Sequence, residues 1–323
     1  VAAFRRTVLE HYTANGRDFA WRRTADPWAI LVSEVMLQQT QTNRVEPLYI
    51  AWMARWPDPA SLAAASLADV YVMWKGLGYN SRALRLRETA RIVADRWGGS
   101  VPAAEVDLLG LPGIGRYTAR AVLAFAWNQP VVFLETNIRA ALIHHFFTGQ
   151  NGEPVSAPGA PVSDRELEYV AATVLDASNP RTWYQAFMDY GAAVKKVYGN
   201  PARHAAAYTR QSRFEGSVRQ ARGAILRCLS DAQAGAAARN SLPETALAAL
   251  PVGSPWVVAG NSQQPTPGST GKYDNRAGEG RQLSLYDIAA ESGIGYARLN
   301  QAATGLVRDG LVRMKGEVLV LED

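Results

Sequence analysis

Cysteine is almost absent from this chain of 323 residues: Cys228 is the only one. That excludes an intrachain disulfide framework and any cluster ligated by this chain's cysteines alone. Histidine is scarce too, with four in all, too sparse to suggest a zinc site. No apolar run reaches the roughly 18 residues of a membrane span. At the start, Arg5 and Arg6 precede Glu10 and His11 without a long apolar stretch, so no secretory segment is expected. β-branched alternation is rare before residue 210, which argues against a substantial sheet there.

What is present is an apolar content of 48%, enough for a real core, and a modest net charge of +5. Residues 1–210 read as a mainly α domain. Helices are expected at 28–41, 43–56, 61–65, 67–74, 80–97, 105–109, 115–127, 136–147, 163–175 and 180–193. Short Pro or Gly connectors separate them, such as Pro57-Asp58-Pro59, Gly76-Leu77-Gly78 and Gly98-Gly99. The segment 149–162 reads as a Gly/Pro/Ser loop. Residues 211–323 form a second expected domain: a helix from near 216, a further short helix at 243–250, and a flexible loop at about 251–281. Then come a helix over 283–290, a turn at Gly293, a helix over 296–309 and a hairpin of 311–314 with 318–321. Helix, turn, helix and a two-stranded wing is the order of a winged-helix-like α+β module.

Two segments carry chemistry. Leu111-Pro112-Gly113-Ile114-Gly115-Arg116-Tyr117 sits between two expected helices. Gly113 and Gly115 suit a tight hairpin that comes close to a partner, and the N–H groups opening the next helix can hold an anion. A DNA phosphate is the natural guest, with Arg116 adding charge and a monovalent cation on the hairpin carbonyls able to bridge to it. The other segment is Ser33-Glu34-Val35-Met36-Leu37-Gln38-Gln39, where Glu34 lies among apolar neighbours that should raise its pKa and let it donate a proton at neutral pH. A second carboxylate, Glu135, opens a helix in Phe133-Leu134-Glu135-Thr136-Asn137, and a helix start favours its charged form. One protonatable acid and one persistent anion suit cleavage of a glycosidic bond.

These segments resemble the helix-hairpin-helix DNA glycosylase superfamily, and within it the A/G-specific adenine glycosylase branch. The resemblance covers about residues 1–200 and includes Trp74-Lys75-Gly76-Leu77-Gly78-Tyr79 and Met188-Asp189-Tyr190-Gly191-Ala192. It implies two interleaved helical subdomains around a cleft, double-stranded DNA with a mispaired or damaged base as partner, and a base flipped from the duplex. Glu34 then matches the acid that protonates adenine N7. Gln38 and Gln39, beside Leu37, match the residues that enter the gap in the stack, and Tyr79 a tyrosine near that wedge, with Asn80 next to it. Leu111, Gly113, Gly115, Arg116 and Asn137 complete the expected DNA contacts. Tyr117 stands where the lyase branch has its imine-forming lysine, so a monofunctional enzyme is expected.

Four departures accompany the resemblance. Glu135 replaces the superfamily's catalytic aspartate. The extra methylene moves the carboxylate by about 1.5 Å on an unchanged backbone, and an error of that size costs roughly a hundredfold. The four cysteines of the family's iron–sulfur cluster are missing after Met188-Asp189, so no cluster is expected, and packing around Tyr198, His204 and Tyr208 is expected instead. Asn80-Ser81 follows Gly78-Tyr79, as in the endonuclease III-like branch. The tail does not look like the Nudix-related domain that reads 8-oxoguanine. The leading expectation is a glycosylase that removes adenine opposite guanine or 8-oxoguanine, from a monomeric protein of the cytoplasm and nucleoid. The alternatives are a glycosylase for uracil, thymine or another modified base, and a DNA-binding or regulatory protein without catalysis.

Overall fold

The computed structural model describes residues 1–148, 161–210, 213–241, 282–316 and 318–321. The expected helix at 243–250, the expected loop at 251–281 and most of the loop at 149–162 lie outside the described residues. In chain order the helices are α1 (Ala2–Asn15), α2 (Pro27–Leu37), α3 (Thr42–Arg55), α4 (Pro59–Ala63), α5 (Leu67–Trp74), α6 (Ser81–Trp97), α7 (Glu105–Leu109), α8 (Arg116–Trp127), α9 (Thr136–Phe146), α10 (Asp164–Val174), α11 (Pro180–Tyr198) and α12 (Val218–Ser241). They are followed by β1 (Leu283–Ser284), α13 (Leu285–Ser292), α14 (Tyr296–Arg308), β2 (Val312–Lys315) and β3 (Val318–Leu321), and short 3-10 turns occupy Ala20–Arg22 and Pro201–His204. The fold is thus mainly α, with a small β-containing winged-helix-like region at the C-terminal end. No helix among the described residues is long and apolar enough to cross a membrane.

The chain divides into two compact units, Val1–Ala65 with Arg82–Ser212, and Ser66–Ser81 with Arg213–Asp323. Ser66–Ser81, which the sequence division places in the first domain, therefore groups with the second unit.

In the first unit α2 is central. Asp26 caps its start by accepting from Trp28 N at 3.0 Å, and Pro27 takes a position where no N–H is needed. Every residue from Trp28 to Met36 is buried, so the helix is covered on all sides rather than amphipathic. Its end is set from afar. The buried Arg82 donates from Nη1 to the carbonyls of Val35 (2.7 Å) and Met36 (2.9 Å) and from Nη2 to Thr40 Oγ1. A guanidinium on the orphan carbonyls of a last turn satisfies both hydrogen bonding and the helix dipole. Gln39 then takes the left-handed conformation, φ +56°. The helix expected to run to residue 41 consequently stops at Leu37.

Helix α11 starts at the Asn179 cap with Pro180 in its first turn, and it packs on α9 and α1. The contact with α9 brings backbones together: a Cβ on Gly191 would overlap the carbonyl of Asn137. Trp52, Trp183, Phe187, Leu31, Met36, Leu123 and Ile138 are fully buried in this unit. Each such side chain contributes about 1.5–3 kcal/mol of burial.

In the second unit α5 packs on α12, and α12 packs on α13, α14 and β3. Ser284 and Asp287 form a capping box that opens α13. Gly293 ends it at φ +68°, and α14 follows after Ile294 and Gly295. The sheet is antiparallel in the order β1-β3-β2, with Leu283 opposite Leu319 and Met314 opposite Leu319 on the other side. The strand Leu283–Ser284 falls where the sequence predicts the start of a helix; two residues are too few to show a period. Ile225, Leu229, Ile288, Leu299, Leu306 and Leu319 fill the core.

Candidate active site

Glu34 lies on the buried α2 with 5% of its surface exposed. It borders a cavity of about 180 Å³ within the first unit, lined also by Trp21, Arg22, Leu37, Tyr117 and Asn137. Burial pushes the Glu34 carboxyl up to about 7; the Tyr117 hydroxyl and Arg22 pull it down, and the charge of Glu135 pushes it up. Tyr117, on the first turn of α8, donates its hydroxyl to Glu34 Oε2 at 2.9 Å. Its own pKa is raised well above the usual phenol value, first by burial and then by the two carboxylates, so it stays a donor at neutral pH. The ring packs edge-on against Phe133, which in turn stacks on Tyr184.

The Tyr117 hydrogen bond favours the charged form of Glu34. Removing it in Tyr117→Phe is expected to raise the Glu34 pKa further, by roughly one unit. The alkaline limb of a single-turnover pH–rate profile should move upward by that amount; a limb that stays in place would separate the two groups functionally.

Glu135 is the N-cap residue of α9, and its Oε1 accepts from Ile138 N at 2.8 Å. The longer side chain thus folds back onto its own helix start. Burial raises its pKa, against the N–H groups of Asn137 and Ile138 and the charges of Lys195 and Arg139, which lower it. The helix start does favour the anion, but desolvation outweighs it. Glu135 is not in the lining of the 180 Å³ cavity; Asn137, two residues on, is. Asn137 Oδ1 accepts from Lys195 Nζ at 3.2 Å.

The other sequence-derived positions divide clearly. Gln38 Nε2 donates to Thr118 Oγ1 at 3.2 Å, and Gln39 is exposed in the left-handed turn just beyond. The hairpin between α7 and α8 has Leu111 buried, Gly113 at φ +79° and Gly115 as the cap of α8 with no side-chain hydrogen bond. A Cβ on Gly113 would stand 2.9 Å from Arg85 Cδ, so the glycine serves space as well as conformation. The carbonyls of Leu111 and Pro112 accept from Ile114 N and Thr89 Oγ1, and nothing in these contacts calls for a cation. Arg116 is exposed and stands 3.6 Å from Glu168. Tyr79 and Asn80 belong to the second unit. There Tyr79 has φ +49°, and its hydroxyl meets Arg219 Nη1 at 2.6 Å.

Sequence reasoning misses the polar wall of the cavity. Asp189, 3% exposed, accepts from Arg17 N and Nε and from Arg22 Nη1 and Nη2, all at 2.7–2.8 Å. Arg17 and Arg22 both line the cavity and both lie near the Phe19 ring, at 5.2 and 5.3 Å. Burial raises the Asp189 pKa, but the arginines outweigh it and hold the carboxyl below its ordinary value. In the sequence Asp189 stands out only as part of a motif; its ion partners lie 167 and 172 residues away.

The family's iron–sulfur cluster does not fit this chain, whose one cysteine, Cys228, is buried in the second unit. No group of three or more metal-ligating side chains occurs among the described residues. After α11 the chain is fastened by Pro201–His204 packing on α9, by buried Ala202 and Ala205, and by reciprocal backbone bonds of Val162 with His204 and Ala206. Tyr198 stacks on His144 at 4.1 Å, but His204 and Tyr208 are exposed and contribute little to this packing.

A glycine hairpin between two helices thus shares the first unit with a buried carboxyl group, Glu34, and a half-buried one at a helix start, Glu135. Residues 32–157 match the HhH-GPD superfamily of base excision DNA repair proteins. The adenine DNA glycosylase of Mycolicibacterium smegmatis is 38% identical over 242 residues, covering 69% of this chain and 79% of that protein. The human adenine DNA glycosylase is 38% identical over 203 residues, covering 60% of this chain and 36% of the human protein. A solved structure of a thermostable thymine-DNA glycosylase superposes with a TM-score of 0.52 at 26% identity, over 59% of this chain and 85% of that one. This chain belongs to the adenine DNA glycosylase family of the HhH-GPD superfamily.

Proposed function

We propose that the protein is a monofunctional DNA N-glycosylase that removes adenine mispaired with guanine or 8-oxoguanine. The observation that carries this is Glu34: a buried carboxyl titrating near 7 on the wall of a 180 Å³ cavity. In its neutral form it gives its proton to N7 of a flipped purine. The glycosidic electron pair then leaves with the neutral base, and positive charge develops on the deoxyribose. Glu135 stabilises that charge and takes a proton from the water that attacks C1′. Gln38 and Gln39 fill the gap in the duplex, and Tyr79 and Asn80 add contacts to the DNA. The N–H groups at the start of α8, with Arg116, hold phosphate. Tyr117 offers a phenol where an imine would need an amine, so the sugar–phosphate chain stays intact.

Single-turnover excision on duplexes with A:8-oxoG, A:G, U:G, T:G and normal pairs, with and without alkali, tests this. Alkali-dependent cleavage at adenine is expected. Cleavage without alkali would remove the monofunctional assignment, and release of thymine or uracil alone would move the specificity to a pyrimidine. Glu135→Gln should lower the excision rate by about a hundredfold while leaving duplex affinity within about twofold. A normal rate in that variant would take Glu135 out of the chemistry.

A further inference from the structure

The residues proposed for the chemistry, Glu34 and Glu135, lie outside the winged-helix-like unit, whose charges are sorted in a particular way. Helix α14 buries Leu299, Ala302, Ala303 and Leu306 and exposes Arg298, Asn300, Gln301, Thr304 and Arg308. It contains no acidic residue. Strand β2 exposes Arg313, Met314 and Lys315. Three acids of the unit have partners inside it. Asp309 holds Arg222 of α12 at 2.7 Å and stands 3.5 Å from Arg308, Asp287 completes the cap of α13, and Glu291 lies beside Cys228. Gly305 makes room for this arrangement, since a Cβ there would stand 2.7 Å from Arg222 Nη1. Two arginines of α12 are thus turned inward, Arg222 to Asp309 and Arg219 to Tyr79. The cations of α14 and β2 are on the surface, and Arg308 remains 82% exposed despite its acidic neighbour.

We propose that this unit is a second contact for duplex DNA, in which the exposed face of α14 lies in the major groove and the β2–β3 hairpin reaches the phosphate backbone. The partner is the double-stranded DNA of the proposed function, but the contact is separate from base removal. A cationic helix face carrying arginine, asparagine, glutamine and threonine matches a groove lined by hydrogen-bonding base edges and flanked by phosphates. The helix also enters after a Gly293 turn and is followed by a hairpin whose first strand exposes Arg313 and Lys315, which is the docking order of helix-turn-helix modules with a wing. The start of α14 at Gly295 has no side-chain cap, so its N–H groups are oriented for an anion as well.

The test uses the full chain and a fluorescent undamaged duplex of about 20 base pairs, with anisotropy titrations over a salt series. Two variants are compared with the wild type: Arg298→Ala, Arg308→Ala, Arg313→Ala and Lys315→Ala combined, and the same four positions changed to Glu. Circular dichroism and thermal melting check folding, and the alanine set supplies the readout if the glutamate set does not fold. Each lost phosphate contact should flatten the log–log salt slope by about 0.9. The alanine set is therefore expected to flatten it by about 2 or more, for two to four contacts, and to weaken binding at least roughly tenfold at low salt. A folded alanine set with the wild-type slope and affinity overturns the proposal and leaves this face to some other partner. Because undamaged duplex is the probe, a wild type that binds through this face but excises nothing would sink the glycosylase reading alone.

Discussion

Glu34→Gln should lower single-turnover excision by about 10²–10⁴-fold, the usual worth of a positioned general acid, with little change in duplex binding. Glutamine keeps the shape and the contact with Tyr117 Oη but has no acidic proton to give. The wild-type rate should fall as pH rises through about 7, where burial and the nearby Glu135 place the Glu34 titration, and fall again in acid as Glu135, needed as its anion, takes up a proton. The same substitution should have the opposite effect on stability. A carboxyl whose folded pKa exceeds its ordinary 4.5 favours folding fully below about 4.5, and that contribution is lost as pH rises through about 7. Above pH 7 the wild type carries a buried charge at a cost on the order of 3 kcal/mol, which an uncharged amide at this position would not bear. Thermal melts at pH 8 should therefore show the inactive variant at least as stable as the wild type, with no such gain at pH 5. A variant that is both inactive and strongly destabilised at pH 8 would mean that Glu34 is a structural ion partner.

Asp189→Ala should strongly destabilise the first unit. It removes a buried anion that satisfies five donors or charges from Arg17 and Arg22. Breaking a buried pair costs about 3–5 kcal/mol because the partners stay charged. With Arg17 37% exposed, the lower end of that range is the expectation, about 3 kcal/mol in urea denaturation. The wild-type contribution comes from a depressed pKa. It is present above the ordinary carboxylate pKa of 3.8 and disappears as pH falls through the lower folded value, so the deficit of the variant should shrink in acid. Two arginines on the cavity wall would lose their anchor together, and excision should fall with stability. A loss below about 1 kcal/mol would show that water compensates the arginines.

The helical frame is legible in the sequence because its signals are local. The helices expected from 28, 163 and 180 start at Pro27, Asp164 and Pro180, each capped by the residue just before it, Asp26, Ser163 or Asn179. Glu34 is legible for the same reason: its apolar neighbours are adjacent in sequence. The end of α2 is not, because Arg82, which takes its last carbonyls, comes from α6. Glu135 is half legible. Its place at a helix start can be read, but the burial that outweighs the helix dipole comes from elements distant in the chain. Nothing local to Arg17 and Arg22 points to Asp189, and only the fold brings it to them.

The contact of Gly191 with the Asn137 carbonyl makes the spacing of α9 and α11 a gauge with no slack. One added methyl group must push the helices apart, and α9 carries Glu135 at its tip while α11 carries Asp189 two residues before the glycine. A random mutagenesis screen should therefore recover Gly191 among its loss-of-function positions, although it has no side chain to offer any substrate. Such a hit is naturally filed as a folding defect. Here it would be an error of alignment, with the acid groups intact and the distances between them wrong.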